Sequence, residues 1–275
     1  MTWLSAPFAY PFMVEAAAIA VIIAVPSALL SCFLVLKGWS LMGDGIAHGV
    51  LPGIVLAYIF GLPLLIGAFV AGMICALAAG WLDANSRVKQ DTTLGIVMAG
   101  MFGLGIVIYT QIPSDAHLNH ILFGNILGVG RADFLSAGSI AAAVSLILIL
   151  KWRDFAMLAF DQVQARVAGL PVAWLHYGLL AMISAVVVAM LSAVGLILSV
   201  ALLIAPGAIA FLLTRRLQAM LAVATAVAVF SGLGGVWASF WLDSAPAPTI
   251  VLFLTAIFIA AFIWRQIATR RASAA

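Results

Sequence analysis

Ser40-Leu41-Met42-Gly43-Asp44-Gly45-Ile46-Ala47-His48-Gly49-Val50-Leu51-Pro52 sets a carboxylate and an imidazole four residues apart in a setting that is otherwise almost entirely apolar. On a helix, positions i and i+4 share a face and lie about 6 Å apart along the axis, so Asp44 and His48 can both reach one small cation. Gly43, Gly45 and Gly49 leave that stretch thinly covered, so that a neighbouring helix or an ion shedding its water can come close to the backbone. The plain alternative makes Asp44 a helix cap and His48 a hydrogen-bonded core histidine. In a bilayer the carboxylate carries a cost of about 2.5–3.5 kcal/mol on insertion scales, and ionisable groups there line pathways or face partners.

A second group of ligand types lies in Pro113-Ser114-Asp115-Ala116-His117-Leu118-Asn119-His120. Imidazole and carboxylate suit divalent transition metals, so Asp115, His117 and His120 read either as a solvated loop or as an outer entrance or docking point for a metal-bearing partner. Nothing in the chain points to catalysis. There is no His-Glu-x-x-His, no glycine loop of the Walker kind, and a single glutamate, Glu15, far in sequence from the other candidates. Cys32 and Cys75 fall inside apolar runs, where a thiol acts as a small hydrophobe, so neither a disulfide framework nor a thiolate metal site is expected.

The elements that must position these residues follow from composition. The 275 residues are 66% hydrophobic and 8% charged, against roughly 25% charged in ordinary soluble domains. This predicts an all-α polytopic membrane protein, one transmembrane unit over 1–275 with no room for a separate soluble domain. Nine apolar segments are read at 13–36, 42–60, 63–82, 92–111, 134–150, 172–192, 193–213, 217–240 and 248–267, or eight spans if 1–36 does not fully cross. The first residues lack a basic region before the apolar run, so the first helix is expected to be retained. An outer N-terminus leaves Lys37, Arg87, Lys89, Lys151, Arg153, Arg166, Arg215, Arg216, Arg265, Arg270 and Arg271 on the inner side and only Arg131 outside, as the positive-inside rule requires.

Within that frame, Pro26 is expected to kink its helix, and Pro52 to give a break that can free backbone carbonyls. Lys151 to Pro171 reads as a short amphipathic helix at the inner surface. Ala205-Pro206-Gly207 interrupts a long apolar run that ends in Arg215-Arg216. A short surface helix there would seat in a groove on a cytoplasmic partner, Arg215 and Arg216 facing its acidic rim; the alternative is a simple proline-kinked span. His176, near the inner end of its span, reads as a snorkelling or capping residue.

Taken together, Leu34 to Gly53, Asp91-Thr92-Thr93-Leu94-Gly95-Ile96-Val97, His120 to Val129 and Ala205-Pro206-Gly207 with its arginine pair resemble the membrane permease of the manganese/zinc/iron ABC importers over nearly the whole chain. The resemblance implies a bacterial inner-membrane protein with a fold similar to the cobalamin and siderophore permeases. It implies a dimer of identical or related permeases resting on cytoplasmic ATP-binding subunits and fed by an extracytoplasmic solute-binding protein. Asp44 and His48 would then be cation ligands in the pathway, and Pro206, Gly207, Arg215 and Arg216 would belong to the region that meets the ATPase. No permanently bound cofactor is implied; the cargo is a divalent cation, Mn²⁺ first, then Fe²⁺ or Zn²⁺, and ATP is used by the partner. The single Lys37 departs from the basic pair of many relatives.

Two other readings stay open. A proton-coupled secondary transporter would use Asp44 and His48 as a relay and need no ATPase. A siderophore or cobalamin-type permease would carry a large substrate for which Asp44 and His48 are unnecessary. An intramembrane metalloprotease lacks its motif.

Overall fold

A computed structural model describes residues 6–111, 126 and 130–274, and these are helical with no strand among the described residues. The helices are α1 (Pro11–Lys37), α2 (Met42–Gly49), α3 (Leu51–Ile59), α4 (Leu64–Asn85), α5 (Gln90–Thr110), α6 (Arg131–Phe160), α7 (Gln162–Val167), α8 (Val172–Val194), α9 (Leu196–Leu213), α10 (Leu217–Leu242) and α11 (Pro246–Ala274), after a single 3₁₀ turn at Pro7–Ala9. Taking α2 with α3 as one, nine spans among the described residues are long and apolar enough to cross a bilayer. Only helices satisfy their own backbone in lipid, so an apolar chain of this length has little alternative.

The first span is the centre of the bundle. α1 packs on α6, α8, α9 and α10, with Ile19, Ile23, Leu30, Phe33 and Leu34 fully buried. It runs through Pro26 without losing its helix. Pro26 has no N–H for the Ile22 carbonyl, and the next hydroxyl, Ser27, donates to Ile23 O at 2.6 Å. α8 is buried along most of its outer half. α5 and α11 lie at the periphery and are largely exposed.

α2, α3, α4 and α5 form a second, tighter cluster whose packing is set by glycine. A Cβ on Gly53 would stand 2.1 Å from Gly67 O, and a Cβ on Gly67 would stand 2.2 Å from Gly53 O. Helices α3 and α4 therefore touch backbone to backbone, the close approach that small residues permit where no water drives association.

The span expected at 134–150 is longer than that. α6 bends at Lys151 (φ −109°, ψ 15°) and continues to Phe160, because Phe155 is buried and its ring meets Phe33 at 6.0 Å. Lys151 pairs with Asp154 at 3.2 Å just past the bend. The single amphipathic helix expected over Lys151 to Pro171 is thus the end of α6 followed by the separate α7. Asp161 starts α7 by accepting from Val163 N (2.8 Å) and Gln164 N (3.0 Å), a side-chain cap on otherwise orphaned donors.

Lys37 ends α1, Arg87 and Lys89 join α4 to α5, Arg166 is in α7, and Arg215 and Arg216 join α9 to α10. Successive spans bring all of them to one side of the bundle, which the positive-inside rule makes the inner face.

Candidate functional site

The site begins where α1 stops. Gly38 takes a left-handed conformation (φ 72°), and the chain turns as Trp39 N donates to Leu34 O at 2.8 Å. A Cβ is disfavoured in that conformation, so glycine belongs at the turn. α2 then opens with Asp44 in its first turn and closes with His48 in its last.

Glycines lock α2 among three neighbours. A Cβ on Gly43 would lie 2.8 Å from Leu203 of α9, one on Gly45 2.6 Å from Leu94 of α5, and one on Gly49 2.6 Å from Cys75 Sγ of α4. The Cys75 thiol donates to Gly45 O at 3.5 Å. It thus lies against positions 45 and 49, about 100° around the helix from 44 and 48, and its hydrogen bond occupies it there.

Asp44 and His48 remain on the less crowded face. His48 Nε2 is 3.5 Å from Asp44 Oδ1, and the two side chains are 31% and 32% exposed. The imidazole is steadied by Phe102 of α5, ring centroids 5.4 Å apart and nearly perpendicular. The backbone continues from α2 into α3 through Val50 N to Ile46 O and Ile54 N to Val50 O, both 3.1 Å. Pro52 has no N–H to offer the His48 carbonyl four residues earlier, and the Val50 N–H turns toward that oxygen as well as toward Ile46 O. The expected break at Pro52 is therefore a lost donor within a nearly continuous span. No third Asp, Glu, His or Cys joins the pair as a metal cluster among the described residues. Two donors, one oxygen and one nitrogen, can hold a divalent transition metal only with help from water or another chain.

The neighbouring face of α5 is open. Gly95, Gly100 and Gly103 each have nothing within 4 Å of where a Cβ would stand.

Asp115, His117 and His120 lie outside the described residues. Pro206 and Gly207 are buried inside the continuous helix α9. The Ser31 hydroxyl accepts from Gly207 N at 2.9 Å and donates to Ile204 O at 3.1 Å. That bridge to α1 accounts for the absence of the expected surface helix: the proline sits in a well-packed span, and the chain leaves it only at Thr214, in extended conformation. Arg215 and Arg216 follow, exposed on the inner face. His176 makes an edge contact with Trp39 (5.3 Å), and Lys37 Nζ stands over the same indole (4.2 Å), closing the inner end of α1 against α8.

The amphipathic stretch expected between Lys151 and Pro171 carries a larger apolar surface than its sequence suggested, and one that extends into α8. Phe160, Val163 and Val167 at α7 and Trp174 at the start of α8 are exposed by 68, 70, 82 and 81%, all on the inner face. An apolar row of that size in a segment that joins two spans is a surface suited to contact with another protein or the membrane. Its signature in the sequence is Asp161 as a cap, valines four apart at 163 and 167, and Gly169, which adopts φ 78° to end the turn.

The chain is 52% identical over 264 residues to the chelated iron transport system membrane protein YfeD of Yersinia pestis, covering 96% of this chain and 89% of that protein. It is 42% identical over 256 residues to the manganese transport system membrane protein MntC of Halalkalibacterium halodurans, covering 93% and 88%. The fold superposes on a chain of PsaBC from Streptococcus pneumoniae, solved in complex with a Fab, with a TM-score of 0.83 at 33% identity and 94% coverage of both chains. Residues 9–265 match the model of the ABC 3 transport family, and with relatives this similar over almost its full length the chain belongs to that family.

Proposed function

We propose that this protein is the membrane-spanning permease of an ABC importer for divalent transition-metal cations in the bacterial inner membrane, with Mn²⁺ and Fe²⁺ as the leading cargoes and Zn²⁺ next. The observation that carries the site is the Asp44–His48 pair, a carboxylate and an imidazole 3.5 Å apart and one-third exposed on an intramembrane helix. A charge in that position is costly unless it faces a pathway or a partner. The relatives named for manganese and for chelated iron transport support the cargo class.

A two-donor site is incomplete, and incompleteness suits transport. A full cage would trap the ion, whereas weak, shared coordination lets it leave. A second permease packed against the bare glycine face of α5 would bring another Asp44 and His48, giving two oxygens and two nitrogens. That set binds Zn²⁺ at least as tightly as Mn²⁺, so selection of cargo falls largely to the solute-binding protein that delivers it. Asp115, His117 and His120 are proposed as the outer receiving point.

ATP is hydrolysed by a separate cytoplasmic subunit. We place its seat at the apolar row of α7 and the start of α8, with Arg166 and Arg215 as nearby cations for an acidic rim; Pro206 and Gly207 act from within, as the packed hinge of α9 against α1. The deciding experiment is uptake of Mn²⁺, Fe²⁺ and Zn²⁺ by cells carrying this chain with its ATPase and binding protein, against Asp44→Ala and His48→Ala. Accumulation of one metal, lost in both variants and dependent on the ATPase, is expected. Uptake by the chain alone under a pH gradient would instead make it a secondary transporter.

A further inference from the structure

Away from the metal site, α6 and α10 each pack along α1 and leave between them a groove of about 660 Å³. Its walls are apolar, with Leu29 and Phe33 as the floor and Leu148, Leu221 and Val229 along the sides. Trp152 and Gln218 form the mouth at the inner end, and the one polar side chain higher in the groove lining, Thr225, spends its hydroxyl on Leu221 O at 2.9 Å. From Gln218 to Val229, α10 rises about 16 Å at 1.5 Å per residue, which is the depth of one leaflet of a bilayer whose hydrocarbon core is about 30 Å thick.

The mouth is cationic. Arg153 lies over the Trp152 ring at 5.4 Å, and Arg216, the N-cap position of α10, stands two residues before Gln218. Both arginines are exposed. The nearby acid, Asp154, is already paired with Lys151. Indole and guanidinium at the level of the headgroups, above an apolar channel one leaflet deep, match one class of molecule in both halves.

We propose that this groove binds an anionic phospholipid of the inner leaflet, one acyl chain lying between α6 and α10 and the phosphate held by Arg153 and Arg216. The bend of α6 at Lys151 is beside this headgroup. Bound lipid therefore braces the arm that leads to α7.

The test is native mass spectrometry of the assembled transporter, full chain with its associated subunits, released from nanodiscs of equal phosphatidylcholine and phosphatidylglycerol. Wild type is expected to retain phosphatidylglycerol selectively. Arg153→Gln with Arg216→Gln should lower that preference by roughly 30-fold, about five-fold for each arginine near the membrane surface. Ala226→Trp, an exposed position on the groove wall, should fill the channel and displace lipid of either headgroup. Arg87→Gln with Lys89→Gln, basic and exposed on the same face but on the α4–α5 link, should leave the preference unchanged. Equal retention of the two lipids by wild type, undiminished preference in the Arg153/Arg216 variant, undiminished lipid in Ala226→Trp, or an equal loss in the Arg87/Lys89 variant would each overturn the assignment.

Discussion

His48 Nε2 stands 3.5 Å from Asp44 Oδ1, too far for a strong hydrogen bond and close enough for both atoms to face one ion. The two side chains are held apart by a rigid helix and not by each other. Removing either leaves the other in place, so the variants report on the ligand set and not on folding. Asp44→Asn keeps the shape and one oxygen while removing the charge. Uptake of the cognate metal should fall at least about 10-fold, the lower range for perturbing a metal site, with membrane abundance of the chain unchanged. Uptake within two-fold of wild type at normal abundance would rule out the carboxylate as a ligand.

Gly53 and Gly67 make a sharper prediction about architecture. A methyl at Gly53 would stand 2.1 Å from a carbonyl oxygen of α4, and a backbone oxygen cannot rotate away. Gly53→Ala should lower thermal stability by an overpacking cost of about 1–3 kcal/mol or more. Gly100→Ala, where the same methyl meets nothing within 4 Å, should leave the isolated chain unaffected. Because Gly100 lies on the face we assign to the second permease, its variant should instead weaken dimerisation. Comparing melting with oligomeric state separates the two glycines.

These two kinds of glycine look alike in sequence, which marks where reading the chain alone runs out. The spans, the gathering of basic residues on one side of the bundle and the Asp44–His48 face were legible because hydropathy, positive charge and a four-residue spacing are local properties. The surface helix expected at Pro206 was misread for the opposite reason. Pro206 sits next to an orphan-making break in any single-helix view, yet the group that bridges its surroundings, the Ser31 hydroxyl, is on the first span. The end of α6 was missed because Phe155 becomes a core residue only once Phe33 is beside it. The apolar row on α7 was legible in principle, through the Asp161 cap and the two valines, but its exposure emerges only once the ends of α6 and α8 are placed.

The Ser31 bridge can be weighed directly. Its hydroxyl both accepts from Gly207 N and donates to Ile204 O, tying α1 to α9. Interhelical hydrogen bonds in bilayers contribute about 0.6 kcal/mol on average and up to about 1.7, so Ser31→Ala should destabilise the chain by about 1 kcal/mol. Gly207→Ala should cost more, since its methyl would lie 2.5 Å from the Ser31 carbonyl. Equal unfolding midpoints for wild type and Ser31→Ala in denaturing detergent would show that the bridge is structurally idle.

Val167 tests the ATPase seat. It is 82% exposed, so a glutamate there disturbs no packing within this chain. If the apolar row at α7 docks into the ATPase, Val167→Glu buries an unpaired charge at the centre of the contact. Central contact residues contribute more than about 2 kcal/mol when altered, equivalent to a roughly 30-fold loss of association. Co-purification of the ATPase with Val167→Glu should drop accordingly, and metal uptake with it, while the chain's own melting temperature stays put. Undiminished co-purification would move the seat to the Arg215 link, where charge and not apolar area would have to carry it. Reversal of charge at Arg215 alone would then release the subunit.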